Sequence, residues 1–251
     1  MNPLCLQVLS GNRVYYHFGG FKPLNRFLAN TSEMKNKNTL EIAEGLKKIG
    51  IKWTIEFRAD GPWKKYLQKL YESGFSVANI GMESASPTIL KIMNKTKNPE
   101  KYINDMESLI KEISTLENLA LRINFMFYVG ETPQTVRETI SFISRNFKDI
   151  DSILYTPVFI VYVTKLYLNF ENYEKEFGSK LIHTPYWGKR HLNLCQPSKY
   201  FSFEEVVHFC NAAEKIFSTE EGWIKSEAYH YSPREEILED KLRMGRFETG
   251  K

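Results

Sequence analysis

The sequence predicts an α/β protein built on a parallel sheet, because short β-like runs alternate with longer runs of helical period along most of the chain. About two to six residues of turn-forming type join successive runs, as βα and αβ loops require. Each repeat spans about 25 to 35 residues, the length of a βα unit. The five strand candidates are residues 24–29, 51–57, 75–82, 119–129 and 153–159, the last extending toward Val163.

Apolar spacing and turn chemistry predict helices between these strands. In residues 38–49 the leucine, isoleucine and alanine side chains recur on one side, and Gly50 follows as a stop. Proline is favourable at the first helical position and opens each of the next helices. These prolines are Pro62, Pro87, Pro99 and Pro133.

The regular alternation ends near residue 170. Residues 183–200 are predicted to be loop. A capping box over residues 202–205 starts a helix that runs through Phe217, and Ser232–Pro233 starts a last, highly charged helix. The end of the chain is therefore predicted to be an extension of loop and helix.

The composition is that of an ordinary globular protein. Of 251 residues, 42% are hydrophobic and 25% are charged, which excludes a disordered chain. No apolar run approaches the roughly 20 residues that a membrane span needs, and no signal peptide is recognisable, so a cytoplasmic location is expected. The 34 basic and 30 acidic residues are mixed along the chain, which gives no indication of a nucleic-acid partner.

The sequence contains no recognisable set of metal ligands and no recognisable catalytic motif. Cys5, Cys195 and Cys210 are widely separated and form no Cys-x-x-Cys pair. The five histidines lack metal-binding spacing; His183 and His191 lie in an aromatic segment where a structural role is favoured over ligation. A phosphate loop, a Gly-x-Ser-x-Gly elbow and a His-Glu-x-x-His motif are all lacking.

Polar residues collect where the predicted strands end, which is where parallel βα sheets bind ligands. Glu83 follows a buried strand and precedes the Ser86–Pro87 helix start, so it is either a solvated turn residue or a ligand at the mouth of a pocket. The other strand ends also have structural explanations, such as a surface ion pair or a capped turn. The full set is Asn30, Thr31, Ser32, Glu56, Arg58, Asp60, Glu83, Ser84, Ser86, Gly130, Glu131 and Thr132.

Two segments carry a resemblance to a known family. The first is I-G-x-E-S-x-S at residues 80–86, followed by I-L-K-x-M-N-K at residues 89–95; the second is a hydrophobic strand that runs into G-E-T at residues 130–132. They resemble the radical S-adenosylmethionine (radical SAM) enzymes, in the branch that includes cobalamin-binding and methylthiotransferase-type members. With residues 156–167 as a sixth strand, the resemblance covers about residues 24–175.

The resemblance implies a partial (β/α)6 TIM-like barrel with SAM lying across the strand ends. Either Glu83 or Ser84 is implied at the SAM ribose, and the turn after the fifth strand of the family is implied near the adenine. Asn30 stands where many members have an acidic residue, and Arg58 is implied at the SAM carboxylate or the substrate. The implied cofactor-binding residues are Glu83, Ser84, Asn30, Arg58, Val129, Gly130 and Glu131.

Two departures from the family pattern are visible. Members commonly carry G-x-P-G-E-T after the fifth strand, whereas Phe127 and Val129 replace the first glycine and the proline here. Members also hold a [4Fe-4S] cluster through Cys-x3-Cys-x2-Cys after the first strand, and this spacing does not occur. We therefore expect a fragment that lacks the first strand and the cluster loop, and a cobalamin cofactor only through another domain.

The expected division has a remnant of the first βα unit or an irregular lead-in in residues 1–23, the half-barrel core in 24–175 and an extension in 176–251. One hypothesis is a radical SAM enzyme domain, inactive as this chain, whose complete form makes a 5′-deoxyadenosyl radical and acts on an unknown small molecule or peptide. The alternative is a non-catalytic SAM-binding, nucleotide-binding or scaffolding relative. An unrelated phosphate-binding (β/α) enzyme is disfavoured, and self-association through an exposed sheet edge is expected.

Overall fold

The computed structural model of the protein describes residues 26–30, 38–50, 52–61, 63–182, 192–219 and 221–222. For residues 26–30, 38 and 192 it describes the backbone alone. The helix predicted from Ser232, the histidines at 183 and 191 and the side chain of Asn30 lie outside these described positions.

A five-stranded, wholly parallel sheet forms the centre of the fold, and its strands follow one another in chain order. This order needs a helical crossover after each strand, which the alternation in the sequence provides. The predicted α/β class is confirmed, and each predicted parallel strand is present. The strands are β1 (Arg26–Asn30), β2 (Lys52–Arg58), β3 (Phe75–Glu83), β4 (Ala120–Phe127) and β5 (Ser152–Pro157).

Helices connect the strands and begin where capping chemistry predicts. Thr132 accepts from the backbone N–H of Thr135, and Thr135 in turn accepts from that of Thr132, so a capping box starts the helix at Pro133. Within the residues the structure describes, no helix has the length and apolarity to cross a bilayer. The helices are α1 (Asn38–Ile49), α2 (Trp63–Glu72), α3 (Pro87–Ile92), α4 (Pro99–Ser114), α5 (Pro133–Asn146), α6 (Lys165–Leu168), α7 (Phe170–Phe177) and α8 (Phe203–Ile216), with a 3-10 turn at Phe147–Asp149.

The main hydrophobic core lies between the helices and one face of the sheet. Phe57, Ile80, Ile123 and Ile153 occupy one register row across β2 to β5, and each is at most 3% exposed. Burying side chains of this size stabilises the fold by about 1.5–3 kcal/mol each. One side of the sheet is thus fixed against the helix layer.

The opposite face of the sheet carries polar side chains in its interior. Glu56, Asn79, Arg122 and Ser152 follow one another in a single register row. Asn79, Arg122 and Ser152 are at most 4% exposed, so this polar row is enclosed. Strands in chain order, with helices on one face and enclosed polar residues on the other, form the wall of a partial (β/α) barrel.

Three predictions for the later part of the chain are wrong. Residues 156–167 do not form a sixth strand, because they comprise the end of β5, a two-residue strand and the start of helix α6. The last parallel strand ends at Pro157 and does not continue toward Val163; instead β6 (Ile160–Val161) pairs antiparallel with β8 (Leu192–Gln196). β8 also pairs antiparallel with β7 (Lys180–Ile182), so part of the predicted loop over residues 183–200 is strand. Such short strands are defined by pairing with distant residues, and local sequence gives little sign of them.

Side chains from α8 and the residues after it cover the outer edge of β5. The Glu214 carboxylate accepts from the Tyr155 backbone N–H at 2.8 Å, and the Ser218 hydroxyl accepts from the Ile153 N–H at 3.0 Å. Glu214 is only 7% exposed. These bonds satisfy backbone donors that an open strand edge would offer to another chain.

We expect Glu214→Ala to lower the free energy of unfolding by about 1–3 kcal/mol, because it leaves the buried Tyr155 N–H without this acceptor. Chemical denaturation measures the loss, and amide exchange at Tyr155 should accelerate in parallel. Glu214→Gln keeps a side-chain oxygen acceptor and should lose less. Lys215→Ala, at the exposed next position of the same helix, is the control. Equal losses for Glu214→Ala and Lys215→Ala would contradict the edge role.

Candidate functional site

Strand β3 ends irregularly at the carboxyl edge of the sheet. Its register against β4 shifts between Gly81 and Glu83, and Glu83 has φ +70°. A non-glycine residue in the left-handed region is uncommon, and strained backbone of this kind is enriched at functional sites. The bulge therefore places Glu83 at the carboxyl end of β3 in a backbone conformation that is uncommon for a residue other than glycine.

Glu83 forms an ion pair with Lys95, which lies beyond α3. Lys95 Nζ is 3.1 Å from Glu83 Oε1, and the two side chains are 12% and 23% exposed. A Cβ atom at Gly81 would lie 2.8 Å from Glu83 Oε1, so a larger residue there would displace the carboxylate from its present position. The result is a largely enclosed pair of opposite charges at the strand end.

Arg58, at the end of β2, is tied to the same place. Its guanidinium makes two 2.9 Å bonds to the Asp60 carboxylate and donates to the backbone carbonyl of Lys95 at 2.5 Å. The pairing with Asp60 is the structural alternative that the sequence left open for Arg58. The bond to the Lys95 carbonyl anchors the segment that carries the Lys95 ammonium.

Two further titratable groups surround the ion pair. Burial, and secondly the charge of Glu83, raise the pKa of Glu56, while Lys95 and Arg122 oppose this shift. Tyr102, on α4, donates its hydroxyl to the Gly81 carbonyl at 3.1 Å, and burial raises its pKa. The end of β3 is thus a cluster of interacting charges with a fixed backbone.

Ser84, the other candidate for a ribose contact, has a structural role. It is 1% exposed, its hydroxyl lies 3.2 Å from that of Thr139, and it accepts from the Ser86 N–H at 3.0 Å. Ser86 occupies the N-cap position of α3, but its hydroxyl donates to Glu138 and makes no cap bond. Of the two candidates, Glu83 therefore has the side chain available to a ligand.

The turn after β4 is enclosed by protein. Val129 and Glu131 are fully buried, and Gly130 has φ +83°, which glycine adopts without strain. A Cβ at Gly130 would lie 2.9 Å from Ile92 Cδ1. The hydroxyl of Thr135 donates to the Glu131 carboxyl, yet burial dominates and raises the pKa of Glu131 to about 8. The Glu131 carboxyl group consequently lies buried within the turn, where it accepts a hydrogen bond from Thr135.

The structure brings some of the predicted residues together and leaves others apart. Glu83 and Arg58 meet around Lys95, and the backbone of Asn30 pairs in register with Glu56. Gly130 lies in the turn after β4, where it faces Ile92 of α3 and Phe177 of α7. Sequence reasoning missed Lys95 as a site residue, although Lys95 is the last residue of the I-L-K-x-M-N-K segment. Nothing in the local sequence indicates that the chain after α3 returns this lysine to Glu83, twelve positions earlier.

The described cysteines do not fit an iron-sulfur cluster. Cys195 and Cys210 are both buried, and burial raises the pKa of the Cys195 thiol to about 12, whereas cluster ligation requires thiolates. No group of three or more histidine, cysteine or acidic side chains suited to a metal occurs among the described positions. Cys5 lies outside them. No cluster ligand is therefore assigned.

A parallel sheet in chain order, with charged residues gathered at the carboxyl ends of its strands, defines a protein of the (β/α)-barrel class. The sequence model of the radical SAM superfamily matches residues 11–143, more than half of the chain. The chain belongs to the radical SAM superfamily, which confirms the resemblance of its motifs at the level of the superfamily.

Two named relatives are about a quarter identical to this chain over the aligned residues. An uncharacterised methyltransferase of Pyrococcus horikoshii is 26% identical over 199 residues, which are 77% of this chain and 40% of that protein. The bacteriochlorophyllide d C-12(1)-methyltransferase of Chlorobaculum tepidum is 26% identical over 122 residues, 48% of this chain and 26% of that protein. The chain thus spans less than half the length of either relative.

A solved structure with some likeness is coproporphyrinogen III oxidase (HemN) of Escherichia coli, described as a radical SAM enzyme. The TM-score is 0.44 at 11% identity, and the match covers 53% of this chain and 31% of that one.

Proposed function

We propose that this chain binds S-adenosylmethionine at the carboxyl ends of β2 to β4, as the cofactor-binding part of a radical SAM enzyme. The observation that carries the proposal is the enclosed Glu83–Lys95 pair at the bulged end of β3. Family membership supports the choice of ligand. The Val129–Glu131 turn is proposed to lie at the adenine, as the family resemblance implies.

The two charges match opposite parts of SAM. A ribose carries two neighbouring hydroxyls, which can donate to one carboxylate, and the methionine moiety carries a carboxylate, which an ammonium can pair with. Glu83 is proposed to accept from the ribose and Lys95 to pair with the carboxylate. Because both side chains are largely withdrawn from water, each bond is screened less than a surface pair would be.

The chemistry of the complete protein is a separate step of the proposal. Bound SAM supplies the adenosyl group on which radical chemistry in this superfamily depends, and the two methyltransferase relatives support methyl transfer as the reaction class. Because the described cysteines do not fit a cluster, the described residues are assigned the binding of SAM and not its cleavage. Cobalamin is likewise assigned to no described residue, and the substrate, a small molecule or a peptide, stays open.

Equilibrium dialysis with labelled SAM tests the proposal. We expect Glu83→Gln and Lys95→Ala each to weaken SAM binding about 10-fold to 100-fold, since each removes a charged partner whose hydrogen bonding to SAM contributes about 1.5–3 kcal/mol. Lys101→Ala is the matched control: Lys101 pairs with Asp105 on α4, and its side chain is 68% exposed. Undetectable SAM binding by the wild-type chain, or equal losses in all three variants, would overturn the assignment.

A further inference from the structure

The carbonyl of Pro197 joins three separate parts of the fold. It accepts a hydrogen bond from the Gly130 N–H at 2.9 Å and another from the Ser179 hydroxyl at 2.6 Å. Gly130 belongs to the turn after β4, Ser179 follows α7, and Pro197 follows β8. A single acceptor with two donors from distant segments restrains all three together.

The surroundings of this junction are closely packed. The Lys199 N–H donates to the Phe177 carbonyl at 2.9 Å, which closes the chain around Pro197. Gly178 has φ +69°, and a Cβ there would lie 3.0 Å from Lys199 Cβ. The ring of Phe177 lies against Gly130, where an added Cβ would come within 3.2 Å of it.

Burial makes this arrangement rigid and excludes competing water. Ser179 is 1% exposed, and Gly130 is buried as well. Val129 packs in one apolar cluster with Cys195 of β8 and Phe170 of α7. The turn after β4 thus has one of its hydrogen bonds, to Pro197, and part of its apolar contacts, to Phe170, Phe177 and Cys195, beyond the residues 11–143 that the superfamily model matches.

We infer that residues 177–179 and 195–199 hold the Val129–Glu131 turn in its ligand-binding conformation, with Ser179 as a positioning residue acting through the Pro197 carbonyl. This inference rests on the proposed SAM site. Because the Gly130 N–H already donates to the Pro197 carbonyl, it is not available to donate a hydrogen bond to a ligand. The extension is then needed to hold the binding turn in shape. The core alone does not determine the geometry of the site.

Two substitutions test the junction in the full chain, each with a matched control. Ser179→Ala removes a hydroxyl donor to a backbone carbonyl; Ser76→Ala removes the equivalent bond to the Trp53 carbonyl at the opposite end of the sheet. Gly178→Ala and Gly50→Ala both place a side chain at φ near +70°, but the Cβ at Gly50 meets open space. The second pair keeps the test decisive if one variant folds poorly.

We expect Ser179→Ala and Gly178→Ala to raise the amide exchange rate of Gly130 by about 10-fold or more, because local opening becomes easier. SAM affinity should fall about 3-fold to 10-fold in both, while Ser76→Ala and Gly50→Ala change neither quantity. Wild-type exchange at Gly130 in Ser179→Ala would overturn the inference, as would faster exchange with unchanged SAM affinity. If the wild-type chain binds no SAM, the proposed function fails, whereas Gly130 exchange still decides whether the segment holds the turn.

Discussion

Replacing Trp53 by alanine is expected to lower the free energy of unfolding by about 3–5 kcal/mol, as deletion of a fully buried indole does. Trp53 is 1% exposed and lies at the start of β2, with its ring 5.2 Å from that of Phe75. Its Nε1 donates to the Ser73 carbonyl at 3.0 Å and lies 3.1 Å from the Ser73 hydroxyl. Alanine would remove both the packing and the hydrogen bond that joins β2 to the end of α2.

Denaturation in urea, followed by circular dichroism, measures this loss. Trp53→Phe keeps an aromatic ring and removes the donor, so it should cost about 1–2 kcal/mol and separate the hydrogen bond from the packing. Tyr200→Ala, at a residue that is 52% exposed, controls for the removal of an aromatic ring. A loss below about 1 kcal/mol in Trp53→Ala would mean that the site collapses around the cavity. SAM affinity per folded molecule should stay unchanged, because Trp53 lies at the opposite end of β2 from Arg58.

The parallel sheet could be predicted from sequence because its signals are local. Each strand, such as residues 75–82, is a short apolar run bounded by turn chemistry, and prolines mark most helix starts. The small antiparallel sheet could not be predicted in the same way. β6 has two residues, β7 has three, and both depend on β8, which is distant in sequence from β6. Pairing of this kind is fixed by tertiary structure and leaves little periodicity.

The candidate site was predictable in position but not in its charge partners. Placement at strand ends put Glu83 and Arg58 among the candidates, and the structure gathers these two around one lysine. Lys95 could not be identified, because its approach to Glu83 depends on where α3 ends. Glu131 was placed near the ligand by resemblance; the burial of its carboxyl group follows from packing around the turn, which one sequence does not display.

Replacing Glu131 by glutamine is expected to change how stability depends on pH. Burial raises the pKa of Glu131 from its ordinary value near 4.5 to about 8, against the opposing hydrogen bond from Thr135. Between these two values the unfolded chain releases a proton that the folded chain keeps. The free energy of unfolding therefore falls as the pH rises through this window, by up to about 1.4 kcal/mol per pH unit.

Glutamine is neutral in both states and removes this loss. We expect the stability of Glu131→Gln relative to wild type to increase by about 2–4 kcal/mol between pH 5 and pH 8, measured by urea denaturation at several pH values. Glu117→Gln, at an exposed position, controls for the loss of a carboxylate as such. Parallel pH profiles for wild type and Glu131→Gln would show that burial does not hold the proton on Glu131.

The same ionisation bears on the proposed ligand site, because Glu131 directly follows Gly130. Above pH 8 a buried negative charge would replace a neutral carboxyl within the turn, and local opening is the cheapest way to hydrate it. SAM affinity should then fall above pH 8 in wild type and stay level in Glu131→Gln. A fall of the same size in both proteins would assign the pH effect to another group, such as one around the Glu83–Lys95 pair, and separate it from the turn.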